Sequence, residues 1–250
     1  MNIYNNKYFS QVEGISNPLE QKWKFEKISP ALIEFLNKTK LSKVKLIEIG
    51  AGSGFFIKNL RGYFKKNGFF PTALEINKYS VKYLEKILPQ KNIVIGDISQ
   101  ETNFKDKSFD LCVGIDVLEH IDNLENAVRE IRRISKYAIF KIPIEKSLAI
   151  RLVNTLTAGK YRKNIIARVG HIHWFSKDEI RLFFKNKFEK VEYSEYANIG
   201  LYQYKKNLMA KSPKRVLLII WYFLSALLFR ISPRANATVF GDHLIILVKC

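Results

Sequence analysis

Residues 44–54 constrain the fold of this chain more than any other segment. They read Val-Lys-Leu-Ile-Glu-Ile-Gly-Ala-Gly-Ser-Gly, so an apolar run ends directly at three glycines in alternate positions. The apolar run predicts a buried strand over Val44–Ile49, and the glycines predict a tight turn after it. Bulky apolar side chains then recur at every fourth residue, which is helical spacing. The segment therefore predicts a strand that passes through a glycine turn into a helix over Phe55–Lys66.

The same alternation of strand and helix continues along the chain. Helical spacing recurs over Ser80–Leu88 and Leu124–Ile134, each of which lies between two short apolar runs. Strands separated by helix-length segments imply right-handed crossovers and a parallel sheet that helices cover on both faces. We therefore predict a doubly wound α/β fold with a mostly parallel sheet. The further strands predicted are Thr72–Ile76, Asn92–Ile95, Phe109–Gly114, Tyr137–Ile142 and, near the end of the chain, Leu244–Val248.

A large excess of basic residues narrows the choice of partners. The 250 residues suit one large domain, or one domain with an appendage. Lysine and arginine number 42 and aspartate and glutamate 23, which leaves a net charge of +19. Residues 141–215 carry more than half of this excess, with 17 basic and 6 acidic residues. Such a charge attracts polyanions, either nucleic acid or an anionic membrane surface.

The stretch Val216–Phe229 has 14 residues without a charge, with Lys214 and Arg215 before it and Arg230 after it. A helix that crosses a bilayer needs about 20 apolar residues, so this stretch is too short to span a membrane. It fits either a buried helix or a helix on a membrane surface with its basic flanks at the lipid headgroups. We hypothesise that residues 200–235 form a helical, hydrophobic insertion before the last strand that contacts an anionic membrane.

Cysteine content and the N-terminal residues bear on the compartment. Cys112 and Cys250 are the only cysteines, which is too few for a disulfide framework and suits a reducing cytoplasm. Residues 1–14 are polar and lack the apolar core of a secretory signal. We therefore expect a cytoplasmic protein, with peripheral contact to the inner face of the membrane through residues 200–235.

Acidic residues stand at the ends of successive predicted strands. Glu75 closes the second strand, Asp97 follows the third, and Asp116 follows the fourth. The carboxyl ends of parallel strands form the edge at which open α/β sheets bind ligands. A carboxylate at the second strand end is able to accept both hydroxyls of a ribose, and one at the third is able to accept from an adenine amino group. The glycines within residues 50–54 let such a ligand approach the backbone closely.

Together these motifs resemble the class I (Rossmann-like) S-adenosylmethionine-dependent methyltransferases. The segments that carry the resemblance are the glycine turn with its preceding strand, Ala-Leu-Glu-Ile-Asn around Glu75, Ile-Val-Ile-Gly-Asp-Ile-Ser around Asp97, and Phe-Asp-Leu-Cys-Val-Gly-Ile-Asp-Val-Leu-Glu-His-Ile around Asp116. The resemblance covers residues 20–195 and the last strand. It implies a seven-stranded sheet and S-adenosylmethionine as the cofactor.

The resemblance also implies a role for each site residue. Gly50 and Gly52 would face the amino-acid end of the cofactor. Glu75 would hold the ribose, Asp97 the adenine, and Asp116 would border the methyl-transfer cavity. The cofactor-binding residues expected in this way are Glu48, Gly50, Ala51, Gly52, Glu75, Ile76, Asp97, Ile98 and Asp116. The organisation expected is an N-terminal helical lid over 1–40, the cofactor-binding domain over 41–199, the insertion over 200–235 and the final strand over 236–250.

A second candidate segment is Gly170–Ser176, which reads Gly-His-Ile-His-Trp-Phe-Ser and follows the fifth strand. It resembles a Gly-His-x-x-x-Phe-Ser/Thr segment of similar methyltransferases, and His171 takes the place of its histidine. Asp116 and His171 are therefore the catalytic candidates. An imidazole here either removes a proton from an accepting hydroxyl or braces the loop by hydrogen bonds. We expect no metal site, because His171 and His173 face opposite ways in an extended segment and no cluster has zinc spacing.

Four further residues each have two possible interpretations. Glu48 either organises the cofactor loop or forms an ion pair. Glu119 and His120 either face the cavity or are a carboxylate at a helix start and a solvated histidine. Trp23, in a predicted N-terminal helix, either packs as a lid or core aromatic or contacts the cofactor.

The predicted function is methyl transfer to a small-molecule, glycan or lipid-linked acceptor, with oxygen as the expected acceptor atom. An RNA methyltransferase that uses the basic face and a non-catalytic cofactor-binding module are the alternatives. Nucleic acid is disfavoured because Ile-Asp-Val-Leu-Glu-His replaces the Asn-Pro-Pro-Tyr type of segment found in base-amine methylases. Lysine also outnumbers arginine by 31 to 11, whereas arginine makes bidentate phosphate contacts. A dehydrogenase is disfavoured because Phe55 stands where the dinucleotide fingerprint has its third glycine.

Overall fold

The computed structural model describes residues 18–64, 68–209 and 216–250. Over these residues the chain forms strands and helices in largely alternating order. The strands are β1 Lys43–Ile49, β2 Gly68–Glu75, β3 Ile93–Ile95, β4 Phe109–Ile115, β5 Ser135–Ile144, β6 Lys190–Ala197 and β7 Asp242–Lys249. The helices are α1 Pro18–Thr39, α2 Phe55–Leu60, α3 Lys78–Leu84, α4 Leu124–Ile134, α5 Leu148–Leu156, α6 Lys160–Val169, α7 Lys177–Lys187, α8 Gly200–Met209, α9 Val216–Ile231 and α10 Pro233–Val239.

All seven strands join one sheet in the order β3-β2-β1-β4-β5-β7-β6. The strands from β1 to β5 are parallel, whereas β7 runs antiparallel to both β5 and β6. The strand order reverses at β1, with β2 and β3 on one side and β4 and β5 on the other. This is the switch point at which open α/β sheets bind ligands. The predicted doubly wound, mostly parallel, seven-stranded α/β fold is confirmed.

Helices cover both faces of the sheet. On one face α4 and α7 pack Ile131 and Phe184 against strand residues that include Phe140. On the opposite face α1 and α2 contribute Phe35 and Leu60 to a second core. Because both faces are buried, the central strands are continuous apolar runs rather than alternating ones.

The ends of the elements differ from the sequence predictions by a few residues. Helix α4 begins and ends where predicted, and β5 and β7 extend one or two residues further at each end. Helix α2 is shorter than predicted, because the chain leaves it after Leu60 through turns. Lys66 lies outside the described residues, as do residues 1–17 of the predicted lid and the flanking Lys214 and Arg215.

The sequence analysis does not identify β6. Its side chains are mostly half-buried, because the strand lies at the edge of the sheet. A register shift between Val191 and Tyr193 interrupts its pairing with β7. An edge strand with a bulge lacks the continuous apolar run that marks the central strands.

Helices α8, α9 and α10 lie between β6 and β7, in the position of the predicted hydrophobic insertion. Helix α9 packs against α8 and α10 and buries Ser225, whose hydroxyl donates to Asn236 Oδ1 at 3.0 Å and accepts from Asn198 Nδ2 at 3.2 Å. The other side of α9 is apolar and exposed. Its exposed residues include Val216, Leu217, Ile220, Phe223, Leu224, Leu227 and Ile231. Among the described residues, no helix has both the length and the apolar character needed to cross a membrane.

The turn that leads into β7 requires a glycine at position 241. Gly241 has a φ of 81°, and a Cβ there would lie 2.4 Å from the carbonyl oxygen of Ile144. Gly159 has a similar φ of 79°, but a Cβ there would meet no heavy atom within 4 Å. Comparing substitutions at these two glycines separates the free-energy cost of the left-handed backbone from the cost of the steric clash.

We predict that Gly241→Ala lowers the free energy of unfolding by about 2–4 kcal/mol, since it adds a clash to the strain of a positive φ. Gly159→Ala, which adds strain alone, costs about 1 kcal/mol. Urea unfolding of the two variants and the wild type measures both values. Equal losses in the two variants would contradict this account of the turn.

Candidate functional site

A cavity of about 370 Å³ opens at the carboxyl ends of the parallel strands, with α1 against one side. This is the edge at which the sequence analysis expects a ligand. Every residue that the sequence analysis assigns to the cofactor or to catalysis lines the cavity. These residues are Glu48, Gly50, Ala51, Gly52, Glu75, Ile76, Asp97, Ile98, Asp116 and His171.

The glycine turn after β1 is held by the carboxylate of Glu75 at the end of β2. Glu75 Oε2 accepts from the backbone N of Gly52 at 2.7 Å, and Oε1 accepts from the backbone N of Asn77 at 2.7 Å. Gly50 has a φ of 62°, and a Cβ there would lie 2.6 Å from Val117 Cγ2. Burial raises the pKa of Glu75, and the backbone hydrogen bonds oppose that rise. The turn thus keeps its backbone open to the cavity and ties the ends of two strands together.

Glu48 organises the loop rather than forming an ion pair. Its side chain is buried near the end of β1 and accepts a hydrogen bond from the backbone of Ile57 in α2. Burial raises the pKa of Glu48 well above its ordinary value, and the nearby Glu75 adds to the rise. The contact connects the strand before the glycine turn to the helix after it. Glu48 therefore fits the first of its two interpretations, an organiser of the loop.

The β3 side of the cavity combines one carboxylate with apolar walls. Asp97 Oδ1 accepts from the backbone N of Ser99 at 2.8 Å, which fixes the side chain beside the cavity. Leu74, Ile98 and Ile121 line the same cavity. Apolar walls beside a hydrogen-bond acceptor suit a flat heteroaromatic ring that carries an amino group.

Asp116 lies between two lysines. It follows β4 with a φ of 53°, and its backbone N donates to the carbonyl oxygen of Lys141 at 2.9 Å. Its carboxylate pairs with Lys141, buried in β5, and with Lys24 of α1, whose Nζ lies 3.0 Å from Oδ2. Burial alone would raise the pKa of Asp116, but the positive charges of Lys141 and Lys24 hold it well below its usual range. Asp116 is therefore a poor proton acceptor and instead connects α1 to the sheet.

A second polar cluster lies where β4 and β5 end, and it includes His171. His171 Nδ1 is 2.8 Å from Glu145 Oε1, and its Nε2 is 4.0 Å from Glu119 Oε1. The ring of His120 contacts that of His171 edge-on, with 4.8 Å between centroids. His120 and His171 both line the cavity, and Glu119 is fully buried behind them. Glu119 and His120 therefore belong to the site rather than to a solvated helix start.

Burial dominates the electrostatics of this cluster. It raises the pKa of Glu119 to about 8, with the negative charge of Asp116 adding to the effect. It lowers the pKa of His120 to about 4. Burial also acts to lower the pKa of His171, but the hydrogen bond to Glu145 and the charge of Glu119 outweigh it and raise the pKa.

Trp23 packs as a core aromatic. Its indole contacts His243 edge-on at 5.3 Å between centroids and stacks on Tyr202 at 6.4 Å. Other residues of α1, among them Glu20 and Lys24, line the cavity instead. The helix thus covers one side of the cavity through charged side chains while Trp23 anchors it below.

Known proteins share this pattern of sequence and fold. Residues 47–137 match the family model described as a methyltransferase domain. This segment begins in β1 and includes the glycine turn, all the strand-end carboxylates up to Asp116, and the start of β5. Residues 47–137 are therefore similar to a methyltransferase domain, which is consistent with the class I resemblance. No curated protein matches the sequence.

Solved structures share the fold of this methyltransferase domain at low sequence identity. A chain from the complex of the Haloferax volcanii Trm112 methyltransferase activator with a protein described as a methyltransferase has a TM-score of 0.61 at 12% identity, and the match covers 98% of each chain. A Galdieria sulphuraria protein described as a sarcosine dimethylglycine methyltransferase has a TM-score of 0.59 at 16% identity, over 94% of this chain and 89% of that one. Geranyl diphosphate C-methyltransferase from Streptomyces coelicolor, in complex with Mg²⁺, geranyl diphosphate and S-adenosyl-L-homocysteine, has a TM-score of 0.56 at 12% identity, over 90% and 81%.

The family-model match supports the family resemblance, which implies S-adenosylmethionine as the cofactor. The cavity fits this cofactor, because a glycine turn and two strand-end carboxylates, Glu75 and Asp97, line one space. The assignment of ribose to Glu75 and adenine to Asp97 stays a prediction, as do the roles of the other residues.

Several residues of the candidate site are not predicted from the sequence. Two of them are Lys24 and Lys141, which form ion pairs with Asp116. The others are Glu145, which contacts His171, and His243, which contacts Trp23. Lys141 is identifiable from the sequence alone, because it interrupts the apolar run of a buried strand. A lysine at such a position requires a buried acidic partner.

We predict that Asp116→Asn destabilises the domain by about 3–5 kcal/mol, because it leaves Lys141 buried without its counter-charge. Lys141→Met in the same chain restores part of this loss, since it removes the unpaired cation while keeping the volume. The measurement is the free energy of urea unfolding at neutral pH for both single variants and the double variant. Losses that simply add would contradict a direct pairing.

Proposed function

We propose that the chain methylates a hydroxyl oxygen of an amphipathic or lipid-linked acceptor at a membrane surface, with S-adenosylmethionine as the methyl donor. One observation carries the proposal: a single cavity is lined by the cofactor residues and by the imidazoles of His120 and His171. The cofactor and the polar cluster therefore share one space in which an acceptor oxygen is able to meet the methyl group.

S-adenosylmethionine supplies an electrophilic methyl group. The bond from the acceptor oxygen to the methyl group forms while the sulfur–methyl bond breaks, and the electron pair stays on the sulfur of S-adenosylhomocysteine. The hydroxyl proton is released. The chain's own residues align the two reactants and exclude water. Of the two catalytic candidates, His171 is the better placed to act on the hydroxyl. Asp116 is committed to Lys24 and Lys141 and acts as a positioning residue.

The exposed face of α9 supports a membrane-associated acceptor. Soluble proteins place the apolar side of a surface helix inward. Helix α9 instead directs its polar Ser225 inward and most of its leucines and isoleucines outward. The exposed fraction reaches 80% for Leu217 and 75% for Ile231. An apolar face of this kind matches a helix that lies in the interfacial region of a bilayer.

The charge around this face favours an anionic lipid surface as its occupant. Residues 200–235 contain no acidic residue, and their basic residues are Lys205, Lys206, Lys211, Lys214, Arg215, Arg230 and Arg234. Helix α10 contacts both α9 and α5, and α5 exposes Leu148, Leu152 and Leu156 at four-residue spacing. Basic residues beside apolar ones suit anionic headgroups above acyl chains. The β5-to-α6 segment also leads to His171, so the membrane contact would lie on the acceptor side.

We predict that replacing Leu217 and Leu224 together by glutamate reduces binding to vesicles of phosphatidylglycerol and phosphatidylcholine at least tenfold, because it places charge at the apolar face. Leu182→Glu is the matched control, since Leu182 of α7 is also exposed, at 58%. Co-sedimentation with vesicles measures binding. Unchanged binding of the double variant would contradict the membrane contact, and salt-sensitive RNA binding by all the proteins would favour an RNA substrate.

We predict that His171→Asn lowers methyl transfer by about 10²–10⁴-fold while the affinity for S-adenosylhomocysteine changes less than about threefold. The reason is that His171 meets the acceptor rather than the cofactor. Transfer is measured as labelled methyl incorporated into the lipid fraction of a membrane extract, and affinity by calorimetry. Label in RNA rather than lipid would contradict the proposed acceptor, and cofactor binding with no transfer to any fraction would favour a binding module.

A further inference from the structure

The segment that carries His171 is tied to the ends of two strands. The backbone N of Ile172 donates to the carbonyl oxygen of Glu119, in the turn after β4, at 2.9 Å. The carbonyl oxygen of Phe175 accepts from the backbone N of Lys146, just after β5, at 2.9 Å. The sheet therefore sets the place of the imidazole at the cavity, although His171 itself lies on a loop.

Glu145 fixes the ring of His171 within this segment. It follows β5 directly, and its Oε1 lies 2.8 Å from His171 Nδ1. A carboxylate only accepts hydrogen bonds, so this contact requires the proton on Nδ1 and leaves the lone pair of the neutral ring on Nε2. That nitrogen lies 4.0 Å from Glu119 Oε1, which is beyond hydrogen-bond distance. The contact with Glu145 thus selects the tautomer whose second nitrogen is able to accept a proton.

Arg162 of α6 holds both Glu145 and the segment of His171. Its Nη1 lies 3.9 Å from Glu145 Oε2, and its Nη2 donates to the carbonyl oxygen of Ile172 at 2.8 Å. The guanidinium also lies over the ring of Trp174, 4.8 Å from the centroid. Only 15% of the Arg162 side chain and 20% of the Glu145 side chain are exposed. Because water reaches little of this pair, it restricts the carboxylate more than a surface ion pair would.

Given the proposed function, on which this step rests, we propose that Glu145 is a positioning residue for His171 as the group that accepts the hydroxyl proton. Arg162 is a second positioning residue, which acts through Glu145. The arrangement is a base held in orientation by a third group, the logic by which enzymes keep an imidazole in one tautomer. His171 is the member of the three that lines the cavity together with the cofactor residues.

The proposed step moves the proton and the methyl group onto opposite partners. The O–H bond of the acceptor breaks as His171 Nε2 takes the proton, and the bond from oxygen to the methyl group forms. The sulfur–methyl bond breaks with its electron pair on sulfur. The carboxylate of Glu145 stabilises the imidazolium, which returns its proton to solvent before the next transfer.

The titratable groups that face His171 come from the turn after β4, the end of β5 and β7. They are Asp116, Glu119, His120, Glu145 and His243. Burial acts to lower the pKa of His171, and the hydrogen bond to Glu145 opposes burial more strongly than any of the other groups. Replacing Glu145 by glutamine therefore lowers the pKa of His171, because the imidazolium loses its hydrogen-bonded counter-charge.

NMR titration of the full chain tests the positioning role without any methyl transfer. The protein has four histidines, and the signal of His171 is assigned by its loss in His171→Asn. We expect a pKa of His171 above its ordinary value in the wild type and a lower one in Glu145→Gln. Glu192→Gln is the matched control, since Glu192 of β6 is a covered carboxylate that pairs with Lys38 at 2.7 Å. It leaves the pKa of His171 unchanged.

The pH dependence of methyl transfer to the lipid fraction gives the second readout. A base must be unprotonated, so the rate falls as the pH decreases through the pKa of His171. In Glu145→Gln we expect this fall to occur at lower pH and the rate above it to drop at least tenfold, because the tautomer is no longer fixed. Arg162→Gln changes both in the same direction by a smaller amount. Affinity for S-adenosylhomocysteine stays within about threefold in every variant.

Two results would overturn the positioning role. One is an equal pKa of His171 in the wild type and Glu145→Gln. The other is a rate that drops in Glu145→Gln while its pH dependence stays in place, as it would for a contact that only supports the fold. Absence of transfer by the wild type, with the pKa difference present, would instead overturn the proposed function and the proton-accepting role of His171 with it.

Discussion

The parallel alignment of β1 to β5 is the constraint on which the site depends. It brings every strand end to one edge, and four of the turns at that edge carry a carboxylate, at Glu75, Asp97, Asp116 and Glu145. Glu75 then joins two of the strands, since its carboxylate receives the amide of Gly52 across the gap between β2 and the turn after β1. Glu75, Asp97 and Asp116 all line the cavity at this edge.

Each buried carboxylate at this edge is compensated in a different way, and the differences separate its functions. Backbone amides satisfy Glu75, and two lysines satisfy Asp116, which makes Asp116 part of the frame. Glu145 engages His171. Glu119 has no hydrogen-bond partner among the described residues, and protonation compensates it instead, because burial raises its pKa to about 8. The pattern distinguishes carboxylates that hold the structure together from a buried carboxyl group that keeps its proton at neutral pH.

Much of the frame is predictable from the sequence, because buried parallel strands are apolar runs and turns at ligand sites use glycine. The rule that selects Glu75, Asp97 and Asp116 also selects Glu145 once β5 is extended to Ile144. Other features depend on tertiary contacts. Nothing local indicates that Lys24 of α1 reaches Asp116. The polar cluster around His171 depends on tertiary contacts too, since His171 contacts Glu145 and His120, which lie far from it in the chain.

A crystal structure of the protein with S-adenosylhomocysteine tests the central claim most directly. The account predicts the adenosyl group above the glycine turn, with its ribose hydroxyls at Glu75 and its adenine between Asp97 and Ile98. The homocysteine sulfur would then face the space between Asp116 and His171. A nucleoside bound elsewhere, or bound in this cavity without contact to Glu75 and Asp97, would contradict the account.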